Sequence, residues 1–517
     1  MGGQANEGAF MHKRNLTVAL LSGVAILALS PAPALAAPKK KEPDRLEILE
    51  QQIKILQQQV QDLKASQASK YAEVKKATDD SAKTVSFENG RPTFKSADGN
   101  FSASIRGLVQ FDGAYYMQKG VRSNAANGQD LNSGTNFRRV RFGFDGTLYK
   151  NWTYSFIGEW GGSGSEQPVG LNTAYIQYNG LKPFGFRLGA WSPYAGLEDS
   201  TSASDLLFLE RSTAAEITRN IAGGDGREGF GIIAQGDRYF AAMTYTTNKV
   251  STTTGSQSFD EQSAVLGRLA GLAYANPTTN IVVGANGSFV FDTSDIAPGP
   301  DGAATTGGIN FQNSPELRVD DSGTNSASAN LISTGNIQGH QAWHYGLDAA
   351  AQWRSLYAEG GYFKFGAVRS GLSAAASDPQ FDAWYTQVSY VLSGESRRYN
   401  PASAAFRAPK VAHPFNFGKD AGWGAWEIAG RYSFADLNFN QGVLGRATPT
   451  GGIRGGEQTI WTLGLNWYPN DALRFSLNYL LVDIDKLNGG TAIGSVPANG
   501  QLGQNFQALA FRSQLAF

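Results

Sequence analysis

The chain has no cysteine among its 517 residues, so a disulfide framework, a thiol nucleophile and a cysteine-ligated metal are all excluded. Net charge is missing too: 44 basic side chains balance 44 acidic ones, which leaves no basic surplus for nucleic acid. Histidine is scarce, with four in all. Two of these, His340 and His344, are four apart, but they bracket the end of a loop and a strand start, and no carboxylate motif joins them. No serine has a histidine and acid partner identifiable by spacing, which leaves a nucleophilic hydrolase unsupported. Glycine-rich stretches such as 223–231 lack the strand–loop–helix setting of a phosphate cradle, and no cofactor motif is identified. Beyond residue 36 no apolar run reaches the length of a transmembrane helix.

What is present begins with an export signal. His12, Lys13 and Arg14 precede an apolar run from Leu16 to Leu29, and Ala34-Leu35-Ala36 offers a small-x-small cleavage site. Residues 1–36 therefore read as a signal peptide, with residues 1–10 as an upstream extension. Its removal takes Lys13, Arg14 and Glu7, leaving one excess negative charge on the mature chain. A short basic linker is expected over 37–45. Leu46, Ile53 and Val60 then alternate with Leu49, Leu56 and Leu63 in a heptad flanked by Gln, Glu, Lys and Arg. This predicts a helix over 46–65, either a short oligomerising or spacer coiled coil or a lone amphipathic helix. The polar stretch 66–99 reads as a linker.

From about residue 100 to 517 the periodicity changes to two. Ile105, Val109 and Phe111 lie opposite Ser104, Arg106, Gln110 and Asp112. Val140, Phe142, Phe144 and Leu148 lie opposite Arg139, Arg141, Asp145 and Thr147. The pattern recurs with Trp461, Leu463, Leu465 and Trp467 against Thr462, Gly464 and Asn466, and with Phe475, Leu477, Tyr479 and Leu481 against Arg474, Ser476 and Asn478. Charges facing away from aromatics are costly in a soluble core and natural in a barrel with a wet lumen. The 62 glycines, 30 Phe, 20 Tyr and 10 Trp suit short alternating strands with glycine kinks.

Connections alternate as well. Short ones fall at 150–151, 180–183, 237–238, 277–280, 354–355 and 469–472; long ones fall near 119–135, 193–227, 250–262, 292–341, 367–379, 436–457 and 486–503. Short turns on one rim and long loops on the other give an all-β antiparallel transmembrane barrel of about sixteen strands. Residues 393–424 break the rule, being long yet on the short-turn rim, and are expected to fold into or under the lumen. The last strand sets Leu509, Phe511, Leu515 and Phe517 against Ala508, Ala510, Arg512, Gln514 and Ala516. Such a strand ending on an aromatic resembles those that the barrel assembly machinery recognises, which makes Phe517 a candidate assembly signal.

Several stretches resemble the phosphate-selective porin O and P family. They are Phe137-Arg138-Arg139-Val140-Arg141 through Asp145-Gly146; Leu188-Gly189, Pro193, Gly196-Leu197-Glu198 and Thr201-Ser202 to Phe208-Leu209-Glu210-Arg211; Trp384-Tyr385 with Leu392 to Arg397; Gly424 to Tyr432; and Leu463 to Asn470. The resemblance spans 101–517 and implies a trimeric sixteen-stranded outer-membrane channel whose third loop narrows the pore. It makes Arg106, Arg139, Arg141, Arg187, Arg211, Arg431, Arg474 and Arg512 candidate pore-lining residues. Glu198, Asp199, Ser200, Thr201, Ser202, Asp205 and Glu210 become candidates for the constricting loop. That loop departs from phosphate-selective members in holding four carboxylates and no lysine. Acids facing arginines across a lumen would make a transverse field, so modest selectivity without a tight phosphate site is expected. The implied activity is passive diffusion of small hydrophilic solutes or inorganic anions across the outer membrane of a Gram-negative bacterium, with no catalysis and the coil in the periplasm. Rival readings are a plugged tether to the cell wall through the coil, or an enzyme built on a barrel.

Overall fold

The computed structural model describes residues 45–88, 90–118, 130–162, 170–250, 261–298, 304–320, 329–370, 376–418, 421–493 and 496–517. The signal peptide and nearly all of the 37–45 linker lie outside the described residues. Helix α1 runs Arg45–Thr84, and its heptad side chains Leu46, Leu49, Ile53, Leu56, Val60 and Leu63 are each 52–68% exposed. The linker expected over 66–99 is overturned. Helix continues to Thr84, and Val85–Glu88 then pairs with Arg91–Lys95 in a hairpin. Residues 66–84 contain neither glycine nor proline and are rich in alanine and lysine, so helix propensity persists where the apolar period stops.

Sixteen antiparallel strands form the barrel. They are β1 (Ser102–Met117), β2 (Gly134–Leu148), β3 (Trp152–Glu159), β4 (Gly170–Leu181), β5 (Phe184–Trp191), β6 (Arg227–Gln235), β7 (Tyr239–Lys249) and β8 (Ser263–Asn276). The circuit continues through β9 (Thr279–Asp292), β10 (Gly339–Trp353), β11 (Leu356–Arg369), β12 (Gln380–Val391), β13 (Ala425–Phe439), β14 (Ile453–Tyr468), β15 (Leu473–Asp485) and β16 (Gln504–Ala516). Pairing of β16 with β1 closes it, Arg512 standing directly opposite Asp112. Beyond that register Phe517 and Gly107 exchange backbone hydrogen bonds of 2.9 and 3.0 Å. A Cβ on Gly107 would lie 2.4 Å from the Phe517 ring, so glycine makes room for the terminal aromatic. The 160–169 connection between β3 and β4 is one the sequence reading did not separate out.

Alternation holds along most strands. In β14, Trp461 and Leu463 face outward, 55% and 62% exposed, while Thr462 and Asn466 are buried inside. Parity breaks in β2: Gln110 pairs with Arg139, but Phe111 pairs with Phe137, so Arg138 is an extra residue in a bulge. The slip turns Phe137 outward and leaves Arg138 and Arg139 both buried.

The lumen is not the open aqueous bore that the period alone suggests. Residues 293–338, between β9 and β10, bring Phe311, Leu317, Leu331, Ile332 and Ile337 against Phe365 and Phe381 of the wall. The first half of the 393–424 connection folds in from the opposite rim. Its short strands Arg398–Asn400 and Ala405–Arg407 bury Ala404, Ala405 and Phe406 to 2% exposure or less.

Candidate functional site

Between β5 and β6 the chain forms the third long loop. It holds α2 (Leu197–Ser200), an irregular run of turns and bends, and α3 (Thr213–Ala222), with the Ser212 hydroxyl accepting from Ala215 N–H at the N-cap. The run between the helices pairs with no strand, so its backbone must find other partners. Side chains of the wall and of the 393–424 connection supply them. Gln110 donates to the Ala203 carbonyl at 3.2 Å, Gln514 to Ser204 at 3.0 Å and Arg397 to Asp205 at 2.8 Å. Arg474 donates to Leu206 and Leu207, Asn466 to Leu207, Arg512 to Leu209, and Arg431 to Glu210. A charged donor makes each such bond worth about 1.5–3 kcal/mol.

Carboxylates of the loop complete the clamp. Glu210 takes bonds from Arg138 at 2.9 and 3.1 Å and from Arg512 at 2.8 Å, with Arg139 at 3.5 Å. Burial alone would raise its pKa, but Arg138, Arg139 and Arg512 hold it well below the usual carboxylate range. Arg512 also grips Asp112 with both carboxylate oxygens, at 2.6 and 2.7 Å. Glu198 accepts from the Ser212 N–H and hydroxyl and meets Arg431 at 3.4 Å; Asp199 pairs with Arg219. Arg211 donates to the carbonyls of Glu198, Asp199 and Thr201. From the 293–338 connection, Glu316 reaches both Thr213 N–H and Arg431. At the root of the loop, Asp348 on β10 accepts from the Leu197 N–H and faces Arg268, whose side chain is fully buried.

The candidate residues therefore divide. Arg139, Arg211, Arg431, Arg474 and Arg512 are 2–7% exposed and hold the loop rather than face open space. Arg141 is bound between Glu159 and Asp225. Glu198, Asp199, Thr201 and Glu210 are buried; Ser200, Ser202, Ser204 and Asp205 keep some exposure. The expected transverse field does not form, because the acids and arginines meet in contact pairs instead of across an opening.

Open polar wall remains on β1 to β5. There Arg106, Asp145, Thr153, Tyr175, Gln177, Asn179 and Arg187 face inward and are half-buried. Arg106 and Arg91 share Asp145, at 3.1 and 3.6 Å. Burial and the like charge of Arg106 pull Arg91 below its ordinary pKa, against Asp145, and Arg407 adds to the repulsion. Arg187 has neutral partners, donating to Gln177 at 2.8 Å and lying 4.1 Å from the Tyr175 ring centroid. This sector thus holds more guanidinium than carboxylate.

Strand parity pointed away from Arg138; it placed Gln110, Asn466 and Gln514 on the inward face without marking them as loop partners, and nothing in spacing flagged Glu316 or Asp348. The structure also brings together a pair that spacing did not: the Ser288 hydroxyl lies 2.5 Å from His344 Nδ1. Asn286 donates to Asp348, so its oxygen accepts from His344 Nε2–H, and Nδ1 is left to accept from Ser288. All three are buried to 7% or less, away from the open sector.

A closed barrel crossed by an inward-folded loop defines a porin. Residues 109–491 match the phosphate-selective porin O and P family, and the chain belongs to it. It is 28% identical over 429 residues to Porin O of Pseudomonas aeruginosa, covering 79% of this chain and 89% of that one. Among solved structures it is similar to the outer membrane channel DcaP of Acinetobacter baumannii, at 11% identity and TM-score 0.44, covering 82% and 99%. It is also similar to the anion-selective porin from Comamonas acidovorans, at 13% identity and TM-score 0.43, covering 81% and 100%. The protein is an outer-membrane porin of a Gram-negative bacterium.

Breaking a buried ion pair from one side costs about 3–5 kcal/mol. Glu210→Gln leaves Arg138, Arg139 and Arg512 with one carboxylate fewer, so the midpoint of heat-induced unfolding should fall and single-channel conductance should rise as the loop loosens. Unchanged values for both would show that the clamp does not depend on this residue.

Proposed function

We propose that this porin is a passive diffusion channel with a preference for small inorganic anions, phosphate among them, and no catalytic role. The observation that carries it is the open β1–β5 wall, where Arg91 and Arg106 share Asp145 and Arg187 pairs with neutral groups. A basic lining in a narrow, partly desolvated passage lowers the barrier for anions. Most of the remaining lumen charge is cancelled in buried pairs, so selectivity rests on few residues. Membership in a phosphate-selective family agrees with this sign. Zero-current potentials across a salt gradient should be anion-selective in the native protein, and Arg106→Glu with Arg187→Glu should reverse them. Cation selectivity in the native protein would overturn the reading. A fully blocked channel would favour the tether.

The assembly reading is separate. We infer a homotrimer whose α1 helices associate through the exposed seam from Leu46 to Leu63 in the periplasm. A chain beginning at Val85 should keep its conductance but lose oligomer stability on heating; unchanged stability would count against the coil. Phe517, seated on Gly107, is proposed as the signal read by the assembly machinery. Phe517→Asp should leave secretion intact while folded barrel disappears from the outer membrane, and normal folded levels would refute it.

A further inference from the structure

The connection from β12 to β13 has two halves with opposite character. Its first half is packed inside the lumen: Arg397 pairs with Glu427, and Phe406 lies against Tyr357. Its second half leaves the lumen. The Val411 N–H bonds Asp471 and the Phe415 N–H bonds the Pro469 carbonyl, both in the turn between β14 and β15. From there it displays aromatic side chains on the outside of the barrel. Phe417 is 94% exposed and Trp423 72%. Phe415 sits 4.8 Å from Phe417 and 5.3 Å from Trp467 by ring centroids. Trp467 in turn stacks on Trp426 and Phe475, at 5.5 Å each. The indole N–H groups of Trp426 and Trp467 both donate to the Trp423 carbonyl, which fixes the segment against these two outward-facing strands.

A contiguous aromatic patch of this kind is unfavourable in water. It continues the outward face of β14 and β15 at their short-turn ends, where membrane barrels carry aromatic girdles at the headgroup level. We propose that Phe415, Phe417 and Trp423 form a foot, outside the barrel strands, that inserts into the headgroup region of the periplasmic phospholipid leaflet. One connection then plugs the lumen with its first half and grips lipid with its second. Amphipathic indoles suit that depth, since each has an apolar body and a polar N–H. Continuity with the outward face of the wall selects lipid over a soluble protein as the occupant. The inference rests on the outer-membrane reading of the barrel.

The absence of native cysteine allows a single spin label at any chosen site. Phe417→Cys and, independently, Trp423→Cys would be labelled in the full-length protein. Each would then be reconstituted in vesicles of phosphatidylethanolamine and phosphatidylglycerol. Leu463→Cys, on the outward face of β14, serves as the lipid reference, and Ser202→Cys, on the lumen loop, as the aqueous one. The label at 417 or 423 should be several-fold more accessible to oxygen than to a water-soluble nickel chelate, as at 463 and unlike 202. Chelate accessibility matching that at 202, with 463 still lipid-like, overturns the foot alone. Chelate access at 463 as well would overturn the membrane reading and the foot with it. Dipolar broadening that vanishes on dilution with unlabelled protein would mean that a second copy covers the patch, which also overturns the proposal.

Discussion

A guanidinium buried in a barrel lumen must find all its hydrogen bonds in protein, and Arg512 finds them in three places at once. It holds Asp112 across the seam between the last strand and the first, Glu210 on the crossing loop, and the Leu209 carbonyl beside it. Barrel closure and loop placement are thereby coupled through one side chain. Truncating Arg512 would leave Asp112 buried without its guanidinium and take one donor from Glu210 and from the Leu209 carbonyl, and breaking a buried pair from one side is costly. Gln110 and Gln514 repeat the arrangement one step along: they bond each other at 2.6 Å across the seam, and each holds a loop carbonyl.

From this clamp the lumen divides. Toward β6 to β16 the inward face is largely apolar or locked in ion pairs, and the two other inward-folding connections complete hydrophobic clusters with it. Phe208 lies under the Arg431 guanidinium at 4.5 Å, and a Cβ on Gly464 would approach its ring to 3.0 Å. Bulk on the loop is thus matched by its absence on the wall. What remains for solute is the sector of β1 to β5, edged by the serines of the loop and by Asp205.

Sequence periodicity was sufficient for the barrel because inward and outward faces differ at nearly every strand pair and short turns set the register. It failed at Arg138, where one inserted residue resets parity, and at 66–84, where polar composition concealed a helix. The clamp itself was illegible for a different reason. Arg512 and Glu210 are 302 residues apart, and Arg431 and Glu316 are 115 apart; no local pattern announces such pairs. The arginines were visible as inward-facing, but their partners were not.

That gap bears directly on selectivity. Counting charges over 198–210 gives four carboxylates, and placing them in the pore gives a transverse field. Burial reverses the conclusion. A charge in contact with its partner projects little net field into the passage, whereas a half-exposed guanidinium beside neutral groups has no opposite charge to cancel it and is attenuated only by solvent and salt. Glu198, Asp199 and Glu210 belong to the first kind, and Arg187 to the second. On the proposed reading, the loop acids act on permeation chiefly by fixing where the loop lies, while the sign of the passage is set by the residues the clamp leaves uncovered.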